Sequence, residues 1–318
     1  MSEISYFEAI FQAHQEEMIR DESIVLIGED ISLYTRAGII DSALEARIFS
    51  TPIAENGFCG MGVGAALTGL RPVVDLTIAS FVYLAMDQIV NQAARMRYMT
   101  GGQGSVPIVF RASMWHNASN AGHHSDRPYP LFMGVPGLKV VVPSTPYDVK
   151  GLLKAAMRDD DPVIVFEDNS LWFKMGEVPE DDYVVPIGVA DIKRQGSDVT
   201  LVTIGSTQAD SLAAAETMAA EGVSVEVIDP RTLSPLDTDT ILGSVARTGR
   251  LAIVDPANRS MSAASEISAI VSEQVFDSLK KPVQRVTTPD VIIPFSPALE
   301  KQLYPCQSDI EAAIKKLF

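Results

Sequence analysis

The segment Thr51-Pro52-Ile53-Ala54-Glu55-Asn56-Gly57 constrains this chain more than any other. It closes a strand-like stretch and opens a small, apolar helical one, Phe58-Cys59-Gly60-Met61-Gly62-Val63-Gly64-Ala65-Ala66-Leu67. A carboxylate at the head of a buried, uncharged segment is costly unless something partners it. Two readings meet that need. Glu55 caps a helix N-terminus, where the backbone dipole favours an anion. Alternatively, it holds a proton for a ligand, its pKa raised by desolvation. Gly57, Gly60 and Gly64 recur at intervals of three and four and so share one helical face. Each costs about 1 kcal/mol relative to alanine. The pattern therefore calls for a close approach, either by another helix at a subunit contact or by a flat cofactor ring.

Around this segment strands and helices alternate. Ser5-x-x-Glu8 reads as a capping box opening a helix to about Arg20. Apolar runs at Ile24–Ile27, Val73–Leu76, Val106–Arg111, Leu138–Val142 and Val163–Phe166 read as strands. One long helix is predicted from Ala79 to about Thr100, closed by Gly101-Gly102, and another over Pro146–Arg158. Continuously apolar strands separated by helices predict an α/β fold with parallel or mostly parallel sheets covered on both faces. An acidic, proline-containing stretch then interrupts the pattern. We place domains at 1–175 and 197–318 with a linker at 176–196. The second domain alternates again, with strands predicted at Val199–Ile204, Val223–Ile228, Leu251–Val254 and Val283–Val286. Its helices are predicted at Thr207–Ala220, Thr238–Ala246, Ala263–Leu279 and from Ser308 onward.

The 318 residues carry 25 Lys+Arg against 41 Asp+Glu, a net charge of -16. That balance speaks against nucleic acid and anionic membranes and suits a basic protein partner. No run reaches the ~18 apolar residues of a membrane span. Met1–Ser5 lacks the basic start of a signal peptide, and Cys59 and Cys306 read as reduced thiols, so a cytoplasmic protein is expected.

Three of the four histidines, His116, His123 and His124, fall in one polar loop after an apolar strand. Such loops carry function, and histidine is the commonest general acid–base group; solvated loop histidines are the plainer reading. Trp115 beside His116 reads as a lid or a packing aromatic. Asp159-Asp160-Asp161 at a helix end reads as a solvated turn or a hard-cation site. The chain has no G-x-x-x-x-G-K-[ST], no strand-linked G-x-G-x-x-G and no Gly-Asp-Gly followed by asparagine. It thus carries no recognisable phosphate site of its own.

Seven strings then converge: Gly28-Glu29-Asp30; Thr51–Phe58; Gly69-Leu70-Arg71-Pro72-Val73-Val74; Asp87-Gln88-Ile89-Val90-Asn91-Gln92-Ala93-Ala94; Tyr98-Met99-Thr100-Gly101-Gly102-Gln103; Pro136–Pro143; and Asp229–Asp237. Together they resemble the beta subunit of the thiamine-diphosphate-dependent decarboxylase component of 2-oxo acid dehydrogenase complexes, of the pyruvate, branched-chain and acetoin type. The resemblance spans nearly the whole chain.

The resemblance implies a pyrimidine-binding domain, a transketolase C-terminal-like domain and an α2β2 heterotetramer whose alpha subunit holds Mg2+ and diphosphate. It implies that Glu55 hydrogen-bonds the pyrimidine nitrogen and so promotes ylide formation, with Phe81 packing on the ring and Thr77 beside the cofactor. It implies that His124, in Gly122-His123-His124-Ser125, assists proton transfer or orients the acceptor of the acyl group, a lipoyl group of an acyltransferase. Ile108, Ala156, Asp159 and Asp161 match a structural potassium site. Two stretches depart from the family pattern: Ala112–Asn120, where Trp115, His116 and neighbouring His123 would reshape the substrate or acceptor pocket, and Asp255–Met261. They keep two alternatives open, a relative that acylates a carrier protein or carboligates, and a non-catalytic beta-like scaffold.

Overall fold

A computed structural model describes residues 1–116 and 119–318. Two compact units emerge. The first comprises Met1–His116 and Leu131–Ile187, the second residues 119–130 and Gly188–Phe318.

In the first unit six strands run parallel in the order Lys139–Val141, Val163–Asp168, Val109–Met114, Arg71–Ile78, Ile24–Glu29, Ile48–Thr51. Gly28 is required where the strands Ile24–Glu29 and Arg71–Ile78 meet, because a Cβ there would lie 2.6 Å from the Asp75 carbonyl oxygen. The helix Tyr6–Arg20 opens on the expected capping box: Ser5 Oγ accepts from Glu8 N at 3.2 Å, and Ser5 N donates to Glu8 Oε2 at 2.8 Å. It buries Tyr6, Ile10, Phe11, Ala13, Met18 on one stripe, packed with the helix Pro146–Arg158 over Leu26, Val73, Val109, Val141 and Val165. Apolar burial at about 25 cal/mol per Å2 is what holds such layers together.

The segment 79–99 corrects the expectation of one α-helix. It is a 3-10 turn over Ala79–Ala85, a π-helix over Asp87–Ala93 and an α-helix over Ala94–Met99. Ala79, Val82, Ala85, Ile89 and Ala93 are buried at intervals of three and four. One α-helical face shows the same spacing, so the apolar pattern does not distinguish these pitches from a single α-helix. The acidic stretch after Trp172 is also more regular than its composition indicates. Met175–Val178 pairs antiparallel with Ser2–Ser5, and Asp191–Arg194 pairs antiparallel with Val225–Asp229.

In the second unit the strands Gln284–Thr288, Leu251–Asn258, Val199–Thr203 and Val225–Asp229 are parallel, with Asp191–Arg194 on the edge. Leu201, Val227 and Val254 face the helices Gln208–Ala220 and Gln307–Lys315; Val202, Ile228 and Ile253 face Thr238–Thr248 and Ala263–Gln274. Burial on both sheet faces is what their continuous apolar runs encode. Among the described residues no helix is long and apolar enough to cross a membrane.

Candidate active site

Parallel pairing sets Glu29 opposite Thr51, at the C-terminal ends of two adjacent strands. Three residues beyond Thr51 the chain turns into the helix Glu55–Leu67, with Ala54 as its N-cap. This end of the sheet, outside the carboxyl ends of parallel strands, is where α/β folds place ligands. Glu55 is 5% exposed, at the first position of that helix. The Glu29 carboxyl is pushed above its ordinary pKa by burial and next by the Glu55 charge, with Thr77 opposing. Glu29 Oε2 and Thr51 Oγ1 are buried without hydrogen-bond partners. Buried polar groups are rarely left unpaired. A buried acid and two neighbouring orphaned acceptors thus fit a bound heterocycle that brings its own N–H donors. Of the two sequence readings of Glu55, the ligand-facing one gains this support.

Thr77 lies near the end of the strand Arg71–Ile78, and Phe81 follows it. Thr77 is exposed, in a left-handed conformation (φ 60°), with its N donating to Asp75 Oδ1 at 2.8 Å. Phe81 is half-buried in the 3-10 turn. Behind them lies a charged group that sequence reasoning missed. Arg111 Nη1 bonds Asp75 Oδ2 at 2.6 Å, and its Nε and Nη2 grip Glu167 at 3.0 and 2.7 Å. Tyr34 donates to Asp75 as well. The signal was present: charges stand within three otherwise largely apolar strands, and Asp75 pairs directly with Arg111.

Among the described residues of this chain, the face of Gly57, Gly60 and Gly64 meets no backbone close enough to require glycine. The Cβ-forbidding contact is at Gly62, 2.7 Å from Val74 Cγ2. Gly60 meets the Gln88 side chain at 3.1 Å, and Gly64 has nothing within 4 Å.

Trp115 and His116 belong to the first unit. Trp115 packs edge-on to Trp172 with ring centroids 6.1 Å apart, and His116 N donates to Asn169 Oδ1 at 2.9 Å. His123, exposed, and His124, half-buried, belong to the second. Their loop is tight: His124 N donates to Ala121 O at 3.4 Å, and Ser125 is buried with its Oγ unpartnered. In the same unit Asp255 is fully buried, accepting from Tyr129, Ala257 N at 2.9 Å and Ala264 N at 3.0 Å. Burial raises its pKa against those donors.

Ile108, Ala156, Asp159 and Asp161 are already engaged by the chain itself. The Ile108 carbonyl accepts from Val163 N at 3.0 Å, that of Ala156 from Asp159 N at 3.2 Å, and that of Asp159 from Arg71 Nη2 at 2.7 Å. Lys139 reaches the Asp159 carboxylate at 2.5 Å, and Arg97 pairs with Asp161. The acids are balanced by cations of the chain, so the potassium reading gains no support here. Among the described residues no group of three or more His, Cys, Asp or Glu could hold a metal ion.

An acid at a helix start, outside the carboxyl ends of a parallel sheet, with a second α/β unit after it, fits a transketolase-like protein. Residues 2–173 match the transketolase pyrimidine-binding domain, and residues 188–310 match the transketolase C-terminal domain. A solved split-gene transketolase, an inactive beta4 tetramer, superposes with a TM-score of 0.83 at 25% identity, covering 99% of this chain and 98% of that one. More specific likeness comes from curated proteins of Bacillus subtilis (strain 168). The beta subunit of acetoin:2,6-dichlorophenolindophenol oxidoreductase is 43% identical over 99% of this chain and 97% of its own. The 2-oxoisovalerate dehydrogenase subunit beta is 41% identical over 100% and 99%, and the pyruvate dehydrogenase beta subunit is 39% identical over the same shares. The chain belongs to the transketolase-like beta subunits of thiamine-dependent 2-oxo acid dehydrogenases.

Proposed function

We propose that this chain is the catalytic beta subunit of an α2β2 decarboxylase that acts on a 2-oxo acid and hands the acyl unit to a lipoyl group. The carrying observation is Glu55, 5% exposed at the helix start, whose charge raises the pKa of Glu29 while Glu29 Oε2 and Thr51 Oγ1 are buried without partners. When bound, thiamine diphosphate supplies an electron sink for the carbanion that decarboxylation leaves. This chain would hold the aminopyrimidine end. Glu55 shares a proton at the ring nitrogen, in a site dry enough for that exchange to matter. Glu29, charge-coupled to Glu55, sets the local field; Phe81 and Thr77 border the ring, and His124 orients the acyl acceptor. Mg2+ and diphosphate fall to an alpha subunit, in keeping with the lack of a phosphate motif here. A cytoplasmic location goes with this reading.

The test is reconstitution with the alpha subunit. Glu55→Gln should lower 2-oxo acid decarboxylation, read with an artificial electron acceptor, by about 10²–10⁴-fold, while assembly stays intact. Near-normal turnover of that variant would reject Glu55, and a cofactor-free, stable homo-oligomer with no alpha partner would favour the scaffold alternative. Acyl transfer to a carrier protein in place of a lipoyl domain would select the biosynthetic one.

A further inference from the structure

The loop carrying His123 and His124 is held by the C-terminal part of its own unit. Ser119 and Ala121 each sit at φ 56°. That left-handed conformation costs a non-glycine residue on the order of 1–3 kcal/mol and persists only where the surroundings impose it. Here the surroundings are the stretch 292–304. Ser119 N donates to Glu300 Oε2 at 3.0 Å. The Ile292 side chain lies so close over Gly122 that a Cβ there would come within 2.6 Å. The Arg127 guanidinium stacks over the Tyr304 ring at 4.6 Å and donates to Ser125 O at 3.2 Å.

Of these ties, the one through Glu300 is chemically the most expensive. Glu300, at the end of the short helix Pro297–Glu300, is 0% exposed, and its Oε1 is buried with no hydrogen-bond partner. Burying a carboxylate held through one oxygen is unfavourable by itself. In return it gives a charge-assisted bond to a backbone amide, about twice as strong as a neutral one, at the residue that begins the left-handed turn.

We propose that Glu300 is a positioning residue for His124: its carboxylate fixes the Ser119 amide and with it the turn that presents the His123–His124 pair. The proposal rests on the assignment of His124 to acyl transfer. It does not depend on Glu55.

Hydrogen exchange on the full chain tests the anchor without any assay of function. Glu300→Ala should speed exchange of the amides at 119–124 by about tenfold or more, while the strands Val199–Thr203 and Leu251–Asn258 stay protected. Glu300→Gln, which keeps an acceptor, should restore most of the protection. In the reconstituted tetramer Glu300→Ala should cut acyl transfer to a lipoyl domain about tenfold, with decarboxylation and the thiamine diphosphate Kd within about twofold, and Glu300→Gln should rescue it. Unchanged exchange at 119–124 would overturn the anchor. An equal fall in both half-reactions would make Glu300 merely structural. His124→Ala run in parallel separates the two ideas. If it spares acyl transfer, the assignment of His124 falls; if it abolishes acyl transfer while Glu300→Ala does not reduce it, only the positioning role falls.

Discussion

At the scale of single residues, the chain buries several polar groups that its own fold does not satisfy, and they divide by position. Glu29 and Thr51 stand at strand ends, where a ligand can complete them. His14 does not: it is 1% exposed in the middle of the helix Tyr6–Arg20, with Nδ1 donating to Ile10 O at 2.7 Å and Nε2 unpartnered. Burial, and next the Arg111 charge, push its pKa down to about 3 from 6.5. The folded pKa lies below the unfolded one, so between those values the unfolded chain binds a proton that the folded chain refuses. Stability from this group is therefore complete above pH 6.5 and lost as pH falls toward 3, at up to about 1.4 kcal/mol per pH unit. We expect His14→Leu to remove that part of the acid slope. Urea unfolding of both proteins at pH 7 and pH 4.5 measures it: the variant should be relatively more stable at the lower pH, and an unchanged difference between the two proteins would refute the assignment.

At the scale of elements, three neighbouring strands of the first unit are cross-tied by one side chain. Arg111 spans from Asp75 on one strand to Glu167 on another, and all three are nearly inaccessible. Removing one partner of such a group leaves uncompensated buried charge, at a cost of about 3–5 kcal/mol. Arg111→Met should lower the unfolding free energy, read from urea titration, by that much. Asp75→Asn, which keeps an acceptor for Thr77 N, should cost less and should mainly loosen the Thr77 turn beside the proposed cofactor site. Equal losses for the two variants would deny Arg111 its bridging role. How legible these elements were follows from their local signals. Tyr6–Arg20 and Pro146–Arg158 announce themselves through caps, and the central strands through apolar runs. Met175–Val178 and Asp191–Arg194 are half-exposed and polar, so they carry no such run and are set by pairing alone. The segment 79–99 has helical composition and a burial spacing of three and four that an α-helix shares, so its change of pitch is not visible in sequence. Within the site Glu55 was legible, because a charge interrupting a small-residue stretch is visible locally. Its closeness to Glu29 follows from strand register, and the Ser119–Glu300 tie spans 181 residues, so neither can be seen in sequence.

At the scale of the whole molecule, the helix Glu55–Leu67 carries the proposed site residue Glu55 on one side and an exposed small-residue face on the other. Its buried side explains Gly62 through contact with Val74. Its outer side is not explained by this chain: Gly57, Met61, Gly64 and Leu67 are exposed, and nothing lies within 4 Å of a Cβ placed on Gly64. Glycine at an exposed helical position costs about 1 kcal/mol against alanine, so its presence calls for a reason outside the chain. The proposed tetramer supplies one, since small residues let a second helix approach closely. The expectation is a divergence between two measurements on Gly64→Ala. Urea unfolding of the isolated chain should show a gain of roughly 0.5–1 kcal/mol from helix propensity alone. Titration with the alpha subunit, followed by sedimentation, should show assembly weakened by about tenfold or more, because the added methyl holds packed backbones apart. Gly62→Ala should behave in the opposite manner, destabilising the isolated chain by about 1–3 kcal/mol through overpacking against Val74 and Ile108. If Gly64→Ala stabilises the chain and leaves assembly unchanged, this helix does not form the subunit contact, and the interface must be sought on another face.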